Sequence, residues 1–76
     1  MTGEQYQQAI NHLKMTQVAS SRLLGVNAST ARRWISGARA VPTAVEKLLL
    51  VMIHCGLTPD HILHLNPEDI LDRVAP

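Results

Sequence analysis

Residues 16–42 read TQVASSRLLGVNASTARRWISGARAVP, and the reading of this stretch decides the fold. Thr16 precedes a run of helix-compatible residues that stops at Gly25, a residue that takes up positive φ without steric cost. Asn27 precedes a second run, which stops at Ser36-Gly37. Only a tight turn fits between the runs, and Val26 supplies a hydrophobic plug for the corner. In the second run Ala31, Trp34 and Ile35 fall at i, i+3 and i+4 and share one face. Ala28, Ser29, Arg32, Arg33 and Ser36 share the opposite one. The spacing predicts two helices at a glycine-centred corner, the second with an apolar inner face and a basic outer face.

Working outward, Thr2 and Gln5 have the spacing of a capping box, ahead of a stripe of Tyr6, Ala9, Ile10 and Leu13. That helix is predicted to end near Lys14. On the other side, Thr43 and Glu46 are read as a second capping box, opening a helix that ends before Gly56. Its segment LLLVMI, residues 48–53, is apolar nearly all round, so two sides are expected to be covered. One cover is the core; the other is the C-terminal segment or a second copy of the chain. TPDHILHL and NPEDILDRV each begin with a cap residue, a proline and first-turn acids, the pattern of short helices. Their Ile62, Leu63, Leu65, Ile70, Leu71 and Val74 are the candidates to cover residues 43–55. Leu50, Val51, Ile53, Ile62, Leu65 and Leu71 form the candidate surface for tail packing or dimer formation.

No segment alternates apolar and polar residues long enough to make a strand. The expected fold is therefore all-α: a compact five- to six-helix single domain, with residues 1–56 as its core and residues 57–76 as short C-terminal helices. A chain of 76 residues leaves no room for a second core. One cysteine, Cys55, excludes an internal disulfide, and the sequence opens on no basic-apolar leader. The expected setting is cytoplasmic and reducing, without a membrane.

The net charge of +1 conceals an uneven distribution. Residues 1–40 carry Lys14, Arg22, Arg32, Arg33 and Arg39 against Glu4 alone. Residues 41–76 carry Glu46, Asp60, Glu68, Asp69 and Asp72 against Lys47 and Arg73. A basic front suits a polyanion, and an acidic rear suits solvent or another protein. With no Phe, one Tyr and one Trp, the stacking platform used on single strands is missing, which favours duplex DNA over RNA. Trp34 is expected in the core. His54-Cys55 and His61-x-x-His64 contain zinc-ligating residue types but lack paired, tight spacings, so no metal is expected. Without a nucleophile triad, phosphate loop or carboxylate pair, neither an enzyme nor a cofactor is expected.

The stretch 16–42, with its Thr-Gln, small residues, Leu-Gly-Val, polar cap, Trp and Ser-Gly exit, resembles the Cro/C1-type (Xre-like) regulators of bacteria and phages. The likeness is strong over residues 16–42 and extends in helix layout over residues 1–55. It implies a lambda-repressor-like helix-turn-helix that binds a double-stranded DNA operator as a homodimer and regulates transcription, with repressor activity the leading expectation. By position, the resemblance assigns base contacts to Ala28, Ser29, Arg32 and Arg33. It assigns phosphate contacts to Gln17, Thr30, Ser36 and Arg39, with Gln17 also bracing the recognition helix. Ser20 and Ser21 depart from the family's larger apolar residue followed by alanine. Each buried hydroxyl then needs a partner, expected to be the carbonyl four residues earlier. The competing expectation is a protein-interaction module on the same scaffold, such as an antitoxin or adaptor, acting through its C-terminal half.

Overall fold

The computed structural model describes residues 1–74, so the last two residues of the segment 57–76 lie outside it. Six helices follow one another: α1 (Gly3–His12), α2 (Gln17–Leu24), α3 (Ala28–Ser36), α4 (Thr43–Cys55), α5 (Pro59–Leu63) and α6 (Pro67–Leu71). The described residues contain no strand, and the all-α architecture is the one expected.

Local chemistry accounts for most helix ends. The Thr2–Gln5 capping box is complete: Gln5 N–H donates to Thr2 Oγ1 at 3.1 Å and Thr2 N–H donates to Gln5 Oε1 at 2.9 Å. Thr16 Oγ1 accepts from Ala19 N–H at 3.0 Å and starts α2. Gly25, at φ +70°, ends it, and Val26 N–H returns to Ser21 O at 2.9 Å. That bond closes the corner and turns half-buried Val26 towards the core. Asn27 has the extended backbone of a cap residue, yet its side chain makes no capping bond. Thr58 and Asn66 cap α5 and α6, each followed by proline at the start of the helix.

The second capping box does not form. Pro42 occupies the cap position of α4, Thr43 is already helical, and no side chain caps the helix. The Glu46 carboxylate turns instead to the amino group of Met1, which holds its pKa below the ordinary carboxylate range. A full positive charge competes for that carboxylate better than a backbone N–H does.

The core is built from Tyr6, Ala9 and Ile10 of α1, Met15, Ala31 and Trp34 of α3, and Leu49 and Met52 of α4. Helix α1 is the hub and packs on α2, α3 and α4. Tyr6 and Trp34 meet edge to face, with centroids 5.5 Å apart and planes at 71°. That geometry suits the ring quadrupoles and contributes about 0.5–1.5 kcal/mol beyond buried area.

The buried serines find their partners one residue nearer than expected. Ser20 Oγ donates to Gln17 O at 2.7 Å and Ser21 Oγ to Val18 O at 2.6 Å, three residues back in each case. Ser20 has one proton, and it is committed to Gln17. The 2.7 Å contact between Tyr6 Oη and Ser20 Oγ therefore has the phenol as donor. The relay from Tyr6 through Ser20 to the α2 backbone ties α1 to α2. Both hydroxyls are satisfied, so the departure from an apolar residue leaves no desolvation debt.

Burial pushes the Tyr6 phenol above its ordinary value of 10.0. Above that ordinary value an unfolded chain releases the proton while the folded chain retains it. Stability from this group is complete below about pH 10 and is lost as pH rises through the folded value. Tyr6→Phe is expected to cost about 1 kcal/mol at neutral pH through the lost hydrogen bond. It should also flatten the alkaline limb of a plot of melting temperature against pH. An unchanged limb would remove Tyr6 as its source.

Covering of α4 by the C-terminal helices is not found. Leu57 and Ile62 pack against the core, and α5 lies against α2. Leu63, Leu65, Ile70, Leu71 and Val74 are all exposed. On α4, Leu49 and Met52 are buried and Leu48 and Ile53 half-buried, whereas Leu50 and Val51 are 45% and 51% exposed. Only one side of the apolar helix is covered. Of the six residues expected to form a tail-packing or dimer surface, Ile53 and Ile62 pack on the core; Leu50, Val51, Leu65 and Leu71 face solvent.

Candidate nucleic-acid interface

Helix α3 carries the candidate site because its two faces differ so sharply. Ala31 is fully buried and Trp34 is 3% exposed, and between them they fix the helix rotation. The 100° step per residue then turns Ser29, Arg32, Arg33 and Ser36 outward, where all four are exposed. Ala28 and Thr30 lie half-buried at the margins, as does Ile35. Nine residues at about 1.5 Å each give a rod roughly 13 Å long with both arginines near its middle.

The α2–α3 contact sets the direction of this rod. These two helices pack closely across the Gly25 corner, and Gln17 Nε2 donates to Ala28 O at 3.5 Å. The bond is long, yet it joins the first residue of α2 to the first residue of α3. At the other end, Arg39 N–H donates to Arg33 O at 3.1 Å and holds the following loop against α3. Exposed Arg39 thus lies at the same end of the helix as Ser36. Among the described residues, no carboxylate is within ion-pair distance of Arg32, Arg33 or Arg39. The guanidinium groups of Arg32, Arg33 and Arg39 are therefore available to an anion.

The eight residues singled out for contact are not equivalent. Ala28, Ser29, Arg32 and Arg33 share one stripe, with Gln17 beside its start and Arg39 beyond its end. Ser36 is committed elsewhere: its hydroxyl donates to Arg33 O at 3.2 Å and accepts from Ala38 N–H at 3.3 Å. It finishes the helix. Thr30 sits on the half-buried flank rather than in the stripe.

Of two residues that position the site, Gly3 carried no signal in the sequence and Ser20 was legible only as a departure from an apolar residue. At Gly3, a β-carbon would fall on the carbonyl oxygens of Trp34 and Ile35, so the start of α1 presses directly on the end of α3. Ser20, through Tyr6, ties α2 to α1, the helix against which α3 packs. The histidines form no comparable centre: His64 Nδ1 lies 2.7 Å from Asp60 O in its own turn. No cluster of three or more metal-ligating side chains occurs among the described residues. No described helix is long and apolar enough to cross a membrane. Comparison with family models, with curated proteins and with solved structures gives no match for this chain.

Proposed function

We propose that the chain is a sequence-specific duplex-DNA-binding regulator of transcription, with repression the leading mode, that lays α3 in the major groove and acts as two copies. The observation that supports this most directly is the unpaired Ser29–Arg32–Arg33 stripe on a helix whose other side is locked into the core. A major groove about 12 Å wide admits a helix of this size. Arg33 and Arg32 supply forks that match guanine O6 and N7, Ser29 donates or accepts, and Ala28 offers only a methyl to a thymine methyl. Sequence reading then rests mainly on the two arginines. Gln17 and Arg39, at the two ends, take phosphates and fix register. Ser36 contributes through its hold on the helix end. Two copies related by a two-fold axis would place their helices about one DNA turn apart on an inverted repeat.

Selection of bound sites from a random duplex library, followed by titration of the selected site and a scrambled one, tests the proposal. Arg33→Ala is expected to lose about 1–3 kcal/mol of discrimination, roughly five- to hundredfold, and to relax the site at one position. Gln17→Ala and Arg39→Ala are expected to weaken both duplexes alike. Equal losses on both duplexes for all three variants would remove the base-reading role of Arg33. Absence of binding to any duplex at low salt, where phosphate contacts are strongest, would remove the whole reading. Exposed Leu50, Val51 and the acidic tail favour the second reading, a protein-interaction module such as an antitoxin or adaptor on the same scaffold.

A further inference from the structure

Between α1 and α4 lies an open hollow of about 540 Å³, floored by Ala9, Leu50 and Ile53 and edged by Gln5, Gln8 and His12. A second hollow shares His12 and Ile53 with it and runs on past Lys14 and Leu57. The two adjoin at His12 and Ile53 and make one trough along α1 and α4. Exposed Leu50 belongs to its apolar floor, and Lys47 and His54 lie next to it on the outer face of α4. Glu46 also lines the trough, but its charge is matched by the Met1 amino group. Lys14 and Lys47 give this side a positive character.

The same chain carries the complement. All of residues 66–74 are exposed, so α6 is covered by no other helix. Ile70, Leu71 and Val74 fall at i, i+1 and i+4 and make an apolar edge, with Leu71 and Val74 each 63% exposed. Glu68, Asp69 and Asp72 surround that edge against Arg73 alone. The radius of gyration is 13.3 Å, where a compact chain of this length has about 11 Å, and the longest dimension is 42 Å against 22 Å and 19 Å. Helix α5 is rooted on α2, and the acidic helix beyond it stands out from the body as an arm.

We propose that the trough between α1 and α4 receives the α6 arm of a second copy, and that two copies exchange arms reciprocally. The exchange buries Ile70, Leu71 and Val74 against Ala9, Leu50 and Ile53 and sets Glu68, Asp69 and Asp72 near Lys14 and Lys47. A two-fold arrangement uses both troughs and both arms and closes, which limits assembly to two chains. The inference specifies the two-copy part of the reading above and is independent of whether α3 binds DNA.

Sedimentation equilibrium of the full chain without DNA is the test. The wild type is expected to be a dimer that weakens with salt, as the opposed charges require. Leu71→Glu in the arm and Leu50→Glu in the trough should each weaken self-association at least about tenfold, through lost apolar burial and a buried charge. Both side chains are exposed, so thermal unfolding followed by circular dichroism at a concentration where the wild type is monomeric should match the wild type. An equimolar mixture of the two variants retains one intact arm and one intact trough per pair, and should associate more strongly than either variant alone. A wild type that stays monomeric, with the arm folded back or the trough left for another partner, overturns the proposal. So does a Leu71→Glu variant that dimerises normally, or a mixture that behaves as the sum of its parts. Because no DNA is present, none of these outcomes depends on the α3 reading.

Discussion

Gly3→Ala is expected to lower the melting temperature by about 4–24 °C, although alanine is the better helix former. At an open helical position the exchange is favourable by up to about 1 kcal/mol. Here the added methyl would sit 2.6 Å from Trp34 O and still closer to Ile35 O, and both obstacles are backbone rather than flexible side chain. Relief requires α1 to lift from α3. Overpacking of this kind costs about 1–3 kcal/mol, and in a domain this small each kcal/mol moves the midpoint by about 4–8 °C. The contact also brings the positive end of α1 to the negative end of α3, a favourable arrangement that lifting would weaken. Since the displaced residues are Trp34 and Ile35, the variant should also weaken any ligand of the α3 outer face. Thermal unfolding followed by circular dichroism decides the matter: an unchanged or raised midpoint would mean that the two helices are not in backbone contact.

Gly3 also shows where sequence reading stops. Its necessity lies wholly in what lies opposite, and nothing in the stretch MTGEQ distinguishes it from a tolerated glycine near a helix start. Features set by neighbours in the chain were legible. The Thr2–Gln5 box, the Gly25 corner and the two faces of α3 all follow from spacings of three or four residues, and all are found. Thr43–Glu46 has equivalent spacing and fails, because the Met1 amino group, far off in sequence, takes the carboxylate. Ser36 shares the outward stripe with the arginines, yet its hydroxyl is spent on its own helix end, which periodicity does not register. The C-terminal helices were legible as helices and their apolar residues as a surface in need of cover. Which surface they meet depends on where α5 leaves the body, and that is fixed by Leu57 and Ile62 reaching the core rather than by any pattern within residues 57–74.

The largest effect expected from a single side chain is at Trp34. Removing a buried indole costs about 3–5 kcal/mol, while a chain of 76 residues has a total stability of roughly 4–11 kcal/mol. Trp34→Ala should therefore lower the melting temperature by at least about 12 °C and leave the weakest cases largely unfolded at 25 °C. Ala31 is the only other buried residue of α3, and the edge-to-face contact with Tyr6 disappears with the indole. Trp34→Phe retains a ring for that contact and should lose less than half as much. The double variant Arg32→Ala/Arg33→Ala, on the exposed side, should stay within about 0.5 kcal/mol of the wild type. Circular dichroism melts rank the three, and a Trp34→Ala midpoint close to that of the arginine double variant would mean that α3 is not anchored through its inner face. The same ranking governs how loss of DNA binding is read. In Trp34→Ala such a loss reports the absence of a presented helix, whereas in the folded arginine variant it reports contacts made by the guanidinium groups themselves.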